Sequence, residues 1–346
     1  MIYLDNGATT FPKPEVVYQA MDTFARTGAV NAGRGAYAAA RAADQMIKNV
    51  RAGLISLMDA REQAQVVLTP SVTIALNQII YGQAWTEKSI AYVSPYEHNS
   101  VLRPLDVLSK KIGFQVLELP LAEDLSIDLA KTAAMFEENP PSFVAVTAVS
   151  NVTGYILPHR EIFRLARRYG AFNLLDGSQA VGLIRLPFAQ TMADAICFAG
   201  HKTLYGPFGI AGFLIKNSAK LQVTLAGGTG TKSEDLAMPA SLPGSMEAGS
   251  KDTVAIAGLE AALKWLPSVK PLEHECAMVA HFIEEAGKID GVELYCAPGG
   301  LQNQAGVVSF GVRGFKAIEV AAILDNKYDI AVRAGHHCAA LIHQHL

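Results

Sequence analysis

The sequence predicts an α/β fold in which a mostly parallel sheet forms a large domain, accompanied by a smaller α+β domain. Short apolar runs alternate along the chain with longer amphipathic segments, as they do in βαβ units. Several of these runs are apolar throughout, which is typical of strands that are covered on both faces. The 346 residues, half of them hydrophobic, are enough for one large and one smaller domain.

The strands of the large domain are predicted where apolar residues cluster between turn signals. These runs are residues 65–68, 89–93, 143–149, 172–176, 195–199 and 210–215. Between them, apolar residues at helical spacing predict helices that include residues 72–81, 101–112, 126–137 and 159–169. Residues 226–249 break this alternation. They are rich in Gly, Ser, Thr and Pro and predict a long loop, a kind of segment that is often functional.

A different order of elements begins at Asp252, where a helical pattern runs through Trp265. Further helices are predicted near residues 274–288 and 317–327, and further strands near 292–296, 305–310 and 330–333. We therefore predict a large domain over residues 12–251 and a small domain made of residues 1–11 and 252–346.

The composition argues against several classes of function. The formal net charge is −3 and the charges are spread along the chain, so nothing favours nucleic acid or an anionic membrane. No apolar run is long enough to span a bilayer, and residues 1–6 lack the features of a secretory leader. The four cysteines are far apart, which disfavours a disulfide framework and makes a cytoplasmic location the expectation.

Lys202 stands between the apolar run 195–199 and the turn at Gly206-Pro207. Burial there lowers the pKa of a lysine and makes its neutral amine available as a base or a covalent nucleophile. The alternative is an ordinary surface lysine in a turn.

Polar residues follow the ends of the predicted strands, which is where α/β proteins place ligand contacts. Asp176 ends one strand and precedes Gln179, Asn151 follows another, and His98 follows a third. Each of them also has a simpler interpretation as a helix cap or a turn residue.

Together these residues suit an aromatic cofactor that bears a phosphate and a ring nitrogen, and pyridoxal 5′-phosphate fits that description. The helix that begins near Val72 and Thr73 offers backbone N–H groups to the phosphate. A carboxylate keeps the ring nitrogen protonated, amide side chains reach the phenolate, an imidazole stacks on the ring, and a lysine forms the covalent bond.

Short motifs with a specific order along nearly the whole chain strengthen this interpretation. They are Tyr3-Leu4-Asp5-Asn6 with Ala8-Thr9-Thr10, Asn31 with Arg34-Gly35, Thr73 to Asn77, Glu97-His98, Ser150 to Gly154, Asp176-Gly177-Ser178-Gln179, Gly200-His201-Lys202, Glu247-Ala248-Gly249-Ser250, and Arg333 to Ala339. In this ordered set the chain resembles the class V aminotransferase group of fold type I pyridoxal-phosphate enzymes, and within it the cysteine desulfurases. The resemblance implies a seven-stranded sheet and a homodimer.

The resemblance implies a role for each matching residue. Lys202 holds the cofactor covalently and moves the α-proton of the substrate, Asp176 pairs with the ring nitrogen, and His98 stacks on the ring and assists proton transfer. The other implied cofactor contacts are Gln179 and Asn151 at the ring, Val72, Thr73 and His201 at the phosphate, and Ser250 from the second subunit. Substrate contacts are implied for Asn151, Arg333, Asn31 and Arg34.

Three positions depart from the commonest family pattern. Ala199 stands where a serine often donates to the phosphate, Ser250 replaces a threonine, and Gly7 replaces an alanine. We therefore expect one phosphate hydrogen bond fewer at Ala199.

Cys338 follows Arg333-Ala334-Gly335-His336-His337, and such polar, basic surroundings favour a thiolate. The resemblance implies that Cys338 takes the sulfur of L-cysteine as a persulfide, releases L-alanine, and passes the sulfur to an acceptor protein. A small buried hydrophobe is the simpler interpretation of a cysteine, and it suits Cys197. A metal site with His343 and His345 is disfavoured, because adjacent residues rarely converge on one ion and no second cluster exists.

The sequence ends at Leu346, whereas family members continue with a further strand and helix. We expect those elements to be missing, together with the arginine that binds the substrate carboxylate. Two alternatives therefore stay open beside a cysteine desulfurase. One is a selenocysteine lyase or another class V lyase or aminotransferase, and the other is a catalytically silent protein that binds the cofactor.

Overall fold

The computed structural model describes residues 1–33, 35–230 and 235–346. Its strands are β1 Ile2–Tyr3, β2 Ala64–Thr69, β3 Ile90–Val93, β4 Gln115–Glu118, β5 Phe143–Thr147, β6 Phe172–Asp176, β7 Ala195–Ala199, β8 Ala211–Lys216, β9 Val292–Tyr295, β10 Ser309–Val312 and β11 Ile330–Ala331. Seven of them form one sheet in the order β2-β8-β7-β6-β5-β3-β4. Only β8 runs antiparallel to its neighbours, so the predicted mostly parallel seven-stranded sheet is confirmed.

The sequence pattern located six of the seven strands and missed β4. This strand, Gln-Val-Leu-Glu, lies at the edge of the sheet beside β3 and is only partly buried. Edge strands carry polar residues that blunt the free edge, and such residues remove the apolar run on which the prediction relied.

The helices are α1 Glu15–Thr27, α2 Ala38–Leu57, α3 Val72–Tyr81, α4 Asn99–Ile112, α5 Leu129–Glu138, α6 His159–Ala166, α7 Phe188–Thr191, α8 Thr253–Trp265, α9 Pro271–Ala286 and α10 Ala317–Tyr328. The bounds of α3 are those predicted. The predicted helix 159–169 ends its α-helical part at Ala166, and a 3-10 turn continues to Tyr169 because Gly170 then takes a left-handed conformation.

Residues that alternate along the strands enter two cores, one on each face of the sheet. In β5, Phe143 and Ala145 join the cluster beside α3 and α4, whereas Val144 and Val146 join the larger cluster beside α2 and α6. Burial of each large apolar side chain contributes about 1.5–3 kcal/mol before entropy is counted. This two-sided burial explains why β5 reads as a continuous apolar run.

Two small sheets lie outside the main one. Strand β1 pairs in parallel with β11, and β9 pairs antiparallel with β10. The first pairing joins the N-terminal residues to the segment just before Cys338. The domain boundary between residues 251 and 252 stays a prediction. Helix α8, which follows that boundary, contacts α1 and α2 and places Ile256 and Leu259 in the larger core.

Among the described residues, no helix combines the length and apolarity that a membrane crossing requires.

Candidate active site

The carboxyl ends of the parallel strands bring the sequence-predicted residues to one edge of the sheet. Thr147 at the end of β5 lies opposite Asp176 at the end of β6, which in turn lies opposite Cys197 in β7. The segments that carry Asn151, Gln179 and Lys202 follow these strands. This edge is the expected position for a ligand site.

Asp176 is buried, and only one of its carboxylate oxygens has partners in the described part of the chain. Its Oδ1 accepts hydrogen bonds from the N–H and the hydroxyl of Ser178. The backbone of Gly177 permits this turn, because an added Cβ would lie 2.6 Å from the carbonyl oxygen of Cys197. The second oxygen is left for a ligand at the sheet edge.

Lys202 lies in the tight turn after β7, and its N–H donates to the carbonyl oxygen of Ala199. Its Nζ makes no hydrogen bond to any described residue. Burial lowers the pKa of Lys202, and the charge of Asp176 opposes that shift in part. The turn depends on Gly200, because an added Cβ there would lie 2.4 Å from the carbonyl oxygen of Ile210.

His98 caps the N-terminus of α4. Its Nδ1 accepts a hydrogen bond from the N–H of Ser100 at 3.0 Å, so the neutral ring carries its proton on Nε2. Burial lowers the pKa of His98, which keeps the ring neutral near pH 7. The Ser100 hydroxyl lies 3.0 Å from this Nδ1 and 2.9 Å from the hydroxyl of Thr73, so one chain of contacts joins α3 to α4.

Glu97 precedes His98 and is completely buried. Its Oε1 accepts hydrogen bonds from the Ser94 hydroxyl and the Thr147 N–H, whereas its Oε2 has no partner in the described structure. Burial raises the pKa of Glu97 to about 8. The carboxyl group is therefore neutral near pH 7, and it fixes the segment that carries His98 to the end of β5.

The first turn of α3 leaves backbone donors free at the same edge. The Ser71 hydroxyl caps the helix by accepting from the N–H of Ile74, and neither the N–H of Val72 nor that of Thr73 has a partner in the described residues. Free N–H groups at a helix N-terminus favour an anion such as phosphate. His201 lies beside the proposed attachment lysine and has a buried Nδ1 without a partner.

Lys13 is a site residue that the sequence analysis did not find. Its Nζ donates to the carbonyl oxygen of His201 at 2.8 Å and to the hydroxyl of Thr10 at 2.6 Å. Burial lowers the pKa of Lys13 to about 8. Burial, with the charges of Lys202 and Lys13, lowers the pKa of His201 to about 4. The lysine thus ties the N-terminal segment to the turn that carries Lys202.

The N-terminal segment also restrains two residues with predicted ligand roles. The side-chain amide of Gln179 donates to the carbonyl oxygen of Gly7 at 2.7 Å. Arg333 forms a bidentate ion pair with Asp5, through Nε at 2.9 Å and Nη2 at 2.7 Å. Arg333 therefore holds the N-terminal segment, and its third guanidinium nitrogen makes no hydrogen bond to a described residue.

Cys338 is exposed on a loop that is tied down on both sides. The N–H of Asn99 donates to the carbonyl oxygen of Cys338 at 2.7 Å, and the side-chain amide of Asn151 donates to that of His337 at 2.6 Å. Gly335, His337 and Cys338 all have positive φ, which bends the chain sharply around the thiol. In the sequence, Gly335 directly before His336 and His337 is the feature that indicates a loop here.

A cleft of about 400 Å³ opens beside this thiol. Its lining includes Cys338, His98 and Thr73 together with Arg103 and Val107 of α4. Arg103 was not found by the sequence analysis, because a single arginine in an amphipathic helix reads as a solvated face.

The other histidines of this region pack on one another. The rings of His336 and His343 lie edge to face with their centroids 4.9 Å apart, and His345 bonds Glu118 through Nε2. Among the described residues, no group of three His, Cys, Asp or Glu side chains is placed to hold a metal ion.

Two further predicted ligand residues, Ser250 and Asn31, make no hydrogen bond to this cluster in the described structure. Ser250 is exposed at the end of a loop that Glu247 anchors by accepting from the guanidinium of Arg51 at 2.7 Å and from the N–H of Leu68 at 2.8 Å. Asn31 is exposed, and no hydrogen bond joins it to the other predicted ligand residues that the structure describes. Arg34 lies outside the described residues.

The site fits pyridoxal phosphate on the evidence of its unpartnered groups. Within the described residues, Asp176 offers a free carboxylate oxygen, Lys202 offers an amine without a hydrogen bond, the first turn of α3 offers free N–H groups, and His201 has an orphaned Nδ1. Buried polar groups without partners are costly unless a ligand satisfies them.

The sheet and this lysine–carboxylate site define an α/β enzyme of the pyridoxal-phosphate-dependent kind. The sequence model of the class-V aminotransferase family matches residues 2–346, and the chain belongs to that family. Class V aminotransferases and cysteine desulfurases are pyridoxal-phosphate enzymes.

Within this family, the relatives and solved structures that the chain resembles include several cysteine desulfurases. The chain is 30% identical to a cysteine desulfurase of Salmonella agona over 98% of its own length and 84% of that protein. It superposes on the apo structure of a cysteine desulfurase from Thermococcus onnurineus with a TM-score of 0.90 and 29% identity, covering 99% of this chain and 86% of that one. The cysteine desulfurase CsdA from Escherichia coli gives a TM-score of 0.84 at 26% identity, with 98% and 86% covered.

Proposed function

We propose that this protein is a pyridoxal-phosphate-dependent cysteine desulfurase that converts L-cysteine to L-alanine and takes the sulfur onto Cys338. One observation carries the proposal: the exposed Cys338 thiol lies on a loop fixed by main-chain contacts beside His98 and Asn151, at the sheet edge that also carries Lys202. The relatives that are 29–30% identical to this chain are named cysteine desulfurases, and this supports the same reaction.

The cofactor would be held by residues that the structure leaves with free polar groups. Lys202 would bind it covalently, Asp176 would pair with the ring nitrogen, and the N–H groups of Val72 and Thr73, with His201, would bind the phosphate. Bound there, pyridoxal phosphate supplies the electron sink that acidifies the Cα–H of an amino acid and weakens its Cβ–S bond.

The protein's own residues then handle protons and orientation. Lys202 takes and returns the proton at Cα, because its lowered pKa leaves a basic neutral amine. The neutral ring of His98 would cover the face of the cofactor, and its Nε2–H would be free to donate because Nδ1 accepts from the N–H of Ser100. Gln179 and Asn151 orient the ring and the substrate from the two adjacent strand ends.

Cys338 receives the sulfur. Its thiolate attacks the sulfur of the substrate, the Cβ–S bond breaks, and an S–S bond forms on Cys338. L-Cysteine and one thiol thus give L-alanine and one persulfide, so that atoms and electrons balance. The hydrogen bonds to the carbonyl oxygens of His337 and Cys338 would hold this loop beside the bound substrate, which is the advantage of proximity.

We also propose a cytoplasmic homodimer in which Ser250 reaches the phosphate in the site of the other subunit. Ser250 is exposed, and the ion pair of Glu247 with Arg51 gives its loop a fixed position. For the substrate carboxylate we propose Asn151 with the remaining nitrogen of Arg333, and Asn31 and Arg34 as further contacts.

The test combines spectroscopy and turnover. The purified protein incubated with pyridoxal phosphate should show a visible absorption band that Lys202→Ala abolishes, and a protein that stays colourless would contradict the cofactor assignment. With dithiothreitol present to reduce the Cys338 persulfide and release its outer sulfur as sulfide, alanine and sulfide should form from L-cysteine in equal amounts, and both should be lost in Cys338→Ser.

Other outcomes separate the alternatives. Turnover of L-selenocysteine that survives Cys338→Ser would identify a selenocysteine lyase. Transamination that survives this substitution would identify an aminotransferase, and a stable visible band without turnover of any amino acid would identify a silent cofactor-binding protein.

A further inference from the structure

The most exposed phenylalanine that the structure describes follows closely after Lys202. Phe208 is 63% exposed, and its ring stacks on the imidazole of His201, with the centroids 4.4 Å apart and the planes inclined by 26°. A single apolar residue on a surface needs no special explanation. This ring, however, has one specific contact, and that contact is a residue with a proposed role at the cofactor phosphate.

The backbone around Phe208 holds the ring in this position. The N–H of Gly206 donates to the carbonyl oxygen of Gly200 at 2.7 Å, and the N–H of Gly200 donates to that of Ile210 at 3.0 Å. These two hydrogen bonds close the turn on both sides of the ring. Gly209, the next residue, has a φ of +87°, a conformation that favours glycine. The turn that carries the proposed cofactor residues therefore also fixes the phenylalanine.

The imidazole of His201 has little else to fix its plane. No hydrogen bond joins either ring nitrogen to a described residue, and Nδ1 is buried. Burial, with the charges of Lys202 and Lys13, lowers the pKa of His201 to about 4, so the ring is neutral near pH 7. A neutral imidazole has one N–H donor, and a hydrogen bond requires that donor to point at its acceptor. Stacking restrains the plane of the ring, and aromatic pairs are favourable beyond the area that they bury.

We propose that Phe208 is a positioning residue for the phosphate of the cofactor: its ring fixes the plane of the His201 imidazole, so that the N–H of this imidazole meets a phosphate oxygen. The inference rests on the proposed function only for the identity of the cofactor. It does not require the outer face of Phe208 to stay exposed, and it therefore also holds where the proposed second subunit covers that face.

The stack itself is tested in the cofactor-free protein by NMR of the histidine rings. Protons over the face of a phenyl ring resonate upfield, so a carbon-bound ring proton of His201 should be shifted upfield in the wild type, and His201→Gln identifies its signal. Phe208→Leu removes the aromatic face and keeps a large apolar side chain, so the signal should move downfield, whereas Phe208→Tyr should leave it upfield. A His201 signal that does not move in Phe208→Leu would overturn the proposal.

The effect on the phosphate is tested by visible titration with pyridoxal 5′-phosphate and with pyridoxal, which lacks the phosphate. Phe208→Leu should raise the Kd of pyridoxal 5′-phosphate by about two- to tenfold, as expected for the loss of one aromatic pair, and should leave that of pyridoxal unchanged. Phe208→Tyr should keep the wild-type Kd. In the His201→Gln background, Phe208→Leu should have no further effect, because the two residues act through one contact.

Phe315→Leu is the matched control, because Phe315 is 54% exposed and stacks on no ring of a described residue. It should change neither Kd. Equal losses of affinity for both compounds in Phe208→Leu would overturn the proposal, since the ring would then support Lys202 rather than the phosphate contact. A weaker dimer with unchanged Kd values would also overturn it and would assign Phe208 to the subunit interface.

The same titrations separate this inference from the proposed function. A wild-type protein that binds neither compound would contradict the cofactor assignment together with the role of Phe208. The predicted changes in Kd without turnover of L-cysteine would support the role of Phe208 and contradict only the proposed reaction.

Discussion

Replacing Glu97 with glutamine should remove the pH dependence that this buried carboxyl group imposes on folding. Glu97 is completely buried, and its pKa is raised from the usual 4.5 to about 8 by burial, with a smaller contribution from the charge of Asp176. Glutamine has the same shape as the neutral acid. Its oxygen keeps the hydrogen bonds from Ser94 and Thr147.

The sign of this pH dependence follows from which state of the protein, unfolded or folded, loses the Glu97 proton at the lower pH. As the pH rises above about 4.5, the unfolded chain loses the Glu97 proton, whereas the folded protein keeps it until about pH 8. The folded state therefore loses stability through this window, and the stabilisation is complete only below it. With about 1.4 kcal/mol per pKa unit, the wild type should lose about 3 kcal/mol through Glu97 between about pH 5 and about pH 8.

The variant should behave differently at the two ends of this window. At about pH 5, Glu97→Gln should be less stable than the wild type by about 1–2 kcal/mol, because its extra N–H donors find no partner where Oε2 is orphaned. At about pH 8 the variant should be as stable as the wild type or more so.

The assay is denaturant unfolding of the cofactor-free protein at several pH values, with the protein concentration fixed because oligomer stability depends on it. Glu273→Gln, which removes an exposed carboxylate, is the control for the loss of one negative charge. A difference in unfolding free energy between Glu97→Gln and the wild type that stays constant from about pH 5 to about pH 8 would show that the pKa of Glu97 is not raised by folding.

Three further predictions concern the supports of the site. Lys13→Met should speed hydrogen exchange in residues 1–12 by about tenfold, since it removes donors to Thr10 and His201, and NMR titration should show the pKa of His201 rising toward its usual value. Glu247→Gln should lower the free energy of unfolding by about 2 kcal/mol, because Arg51 loses a partly buried ion pair. Gly154→Ala should cost about 3 kcal/mol in the same measurement, because Gly154 has a φ of +70° and an added Cβ would lie 2.2 Å from the carbonyl oxygen of Val307.

Each of these has a discriminating control. Lys13→Arg should keep the slow exchange, whereas equal acceleration in both Lys13 variants would contradict the role of the donor. Asp106→Asn breaks an exposed ion pair and should lower the free energy of unfolding by less than about 1 kcal/mol. An equally small loss for Glu247→Gln would show that burial does not strengthen its ion pair with Arg51. Gly113→Ala is the test of φ alone, since its nearest neighbour lies 3.5 Å from an added Cβ.

Much of the fold could be predicted because apolar runs and strand-end polar residues are local signals. Strands β5, β6 and β7 are buried on both faces, so their composition alone marked them, and Asp176 and Lys202 followed at the ends of two of them. The edge strand β4 was missed, because its polar residues suit a partly exposed position.

Supports of the site that depend on distant parts of the chain could not be read from the sequence. Lys13 bonds the carbonyl oxygen of His201 across 188 residues, and Arg333 pairs with Asp5 across 328. Nothing in the composition around Lys13 distinguishes it from a surface lysine. Arg103 and Cys338 are far apart in the sequence, and only the fold brings them to the lining of one cleft.

Sulfur transfer to Cys338 is tested most directly by the intact mass of the cofactor-loaded protein after brief exposure to L-cysteine. The protein should gain the mass of one sulfur atom, peptide mapping should place that atom on Cys338, and the gain should be absent in Cys338→Ser and in Lys202→Ala. A protein that consumes L-cysteine without this gain, or a Cys338→Ser variant that gains sulfur equally, would show that Cys338 does not receive the sulfur.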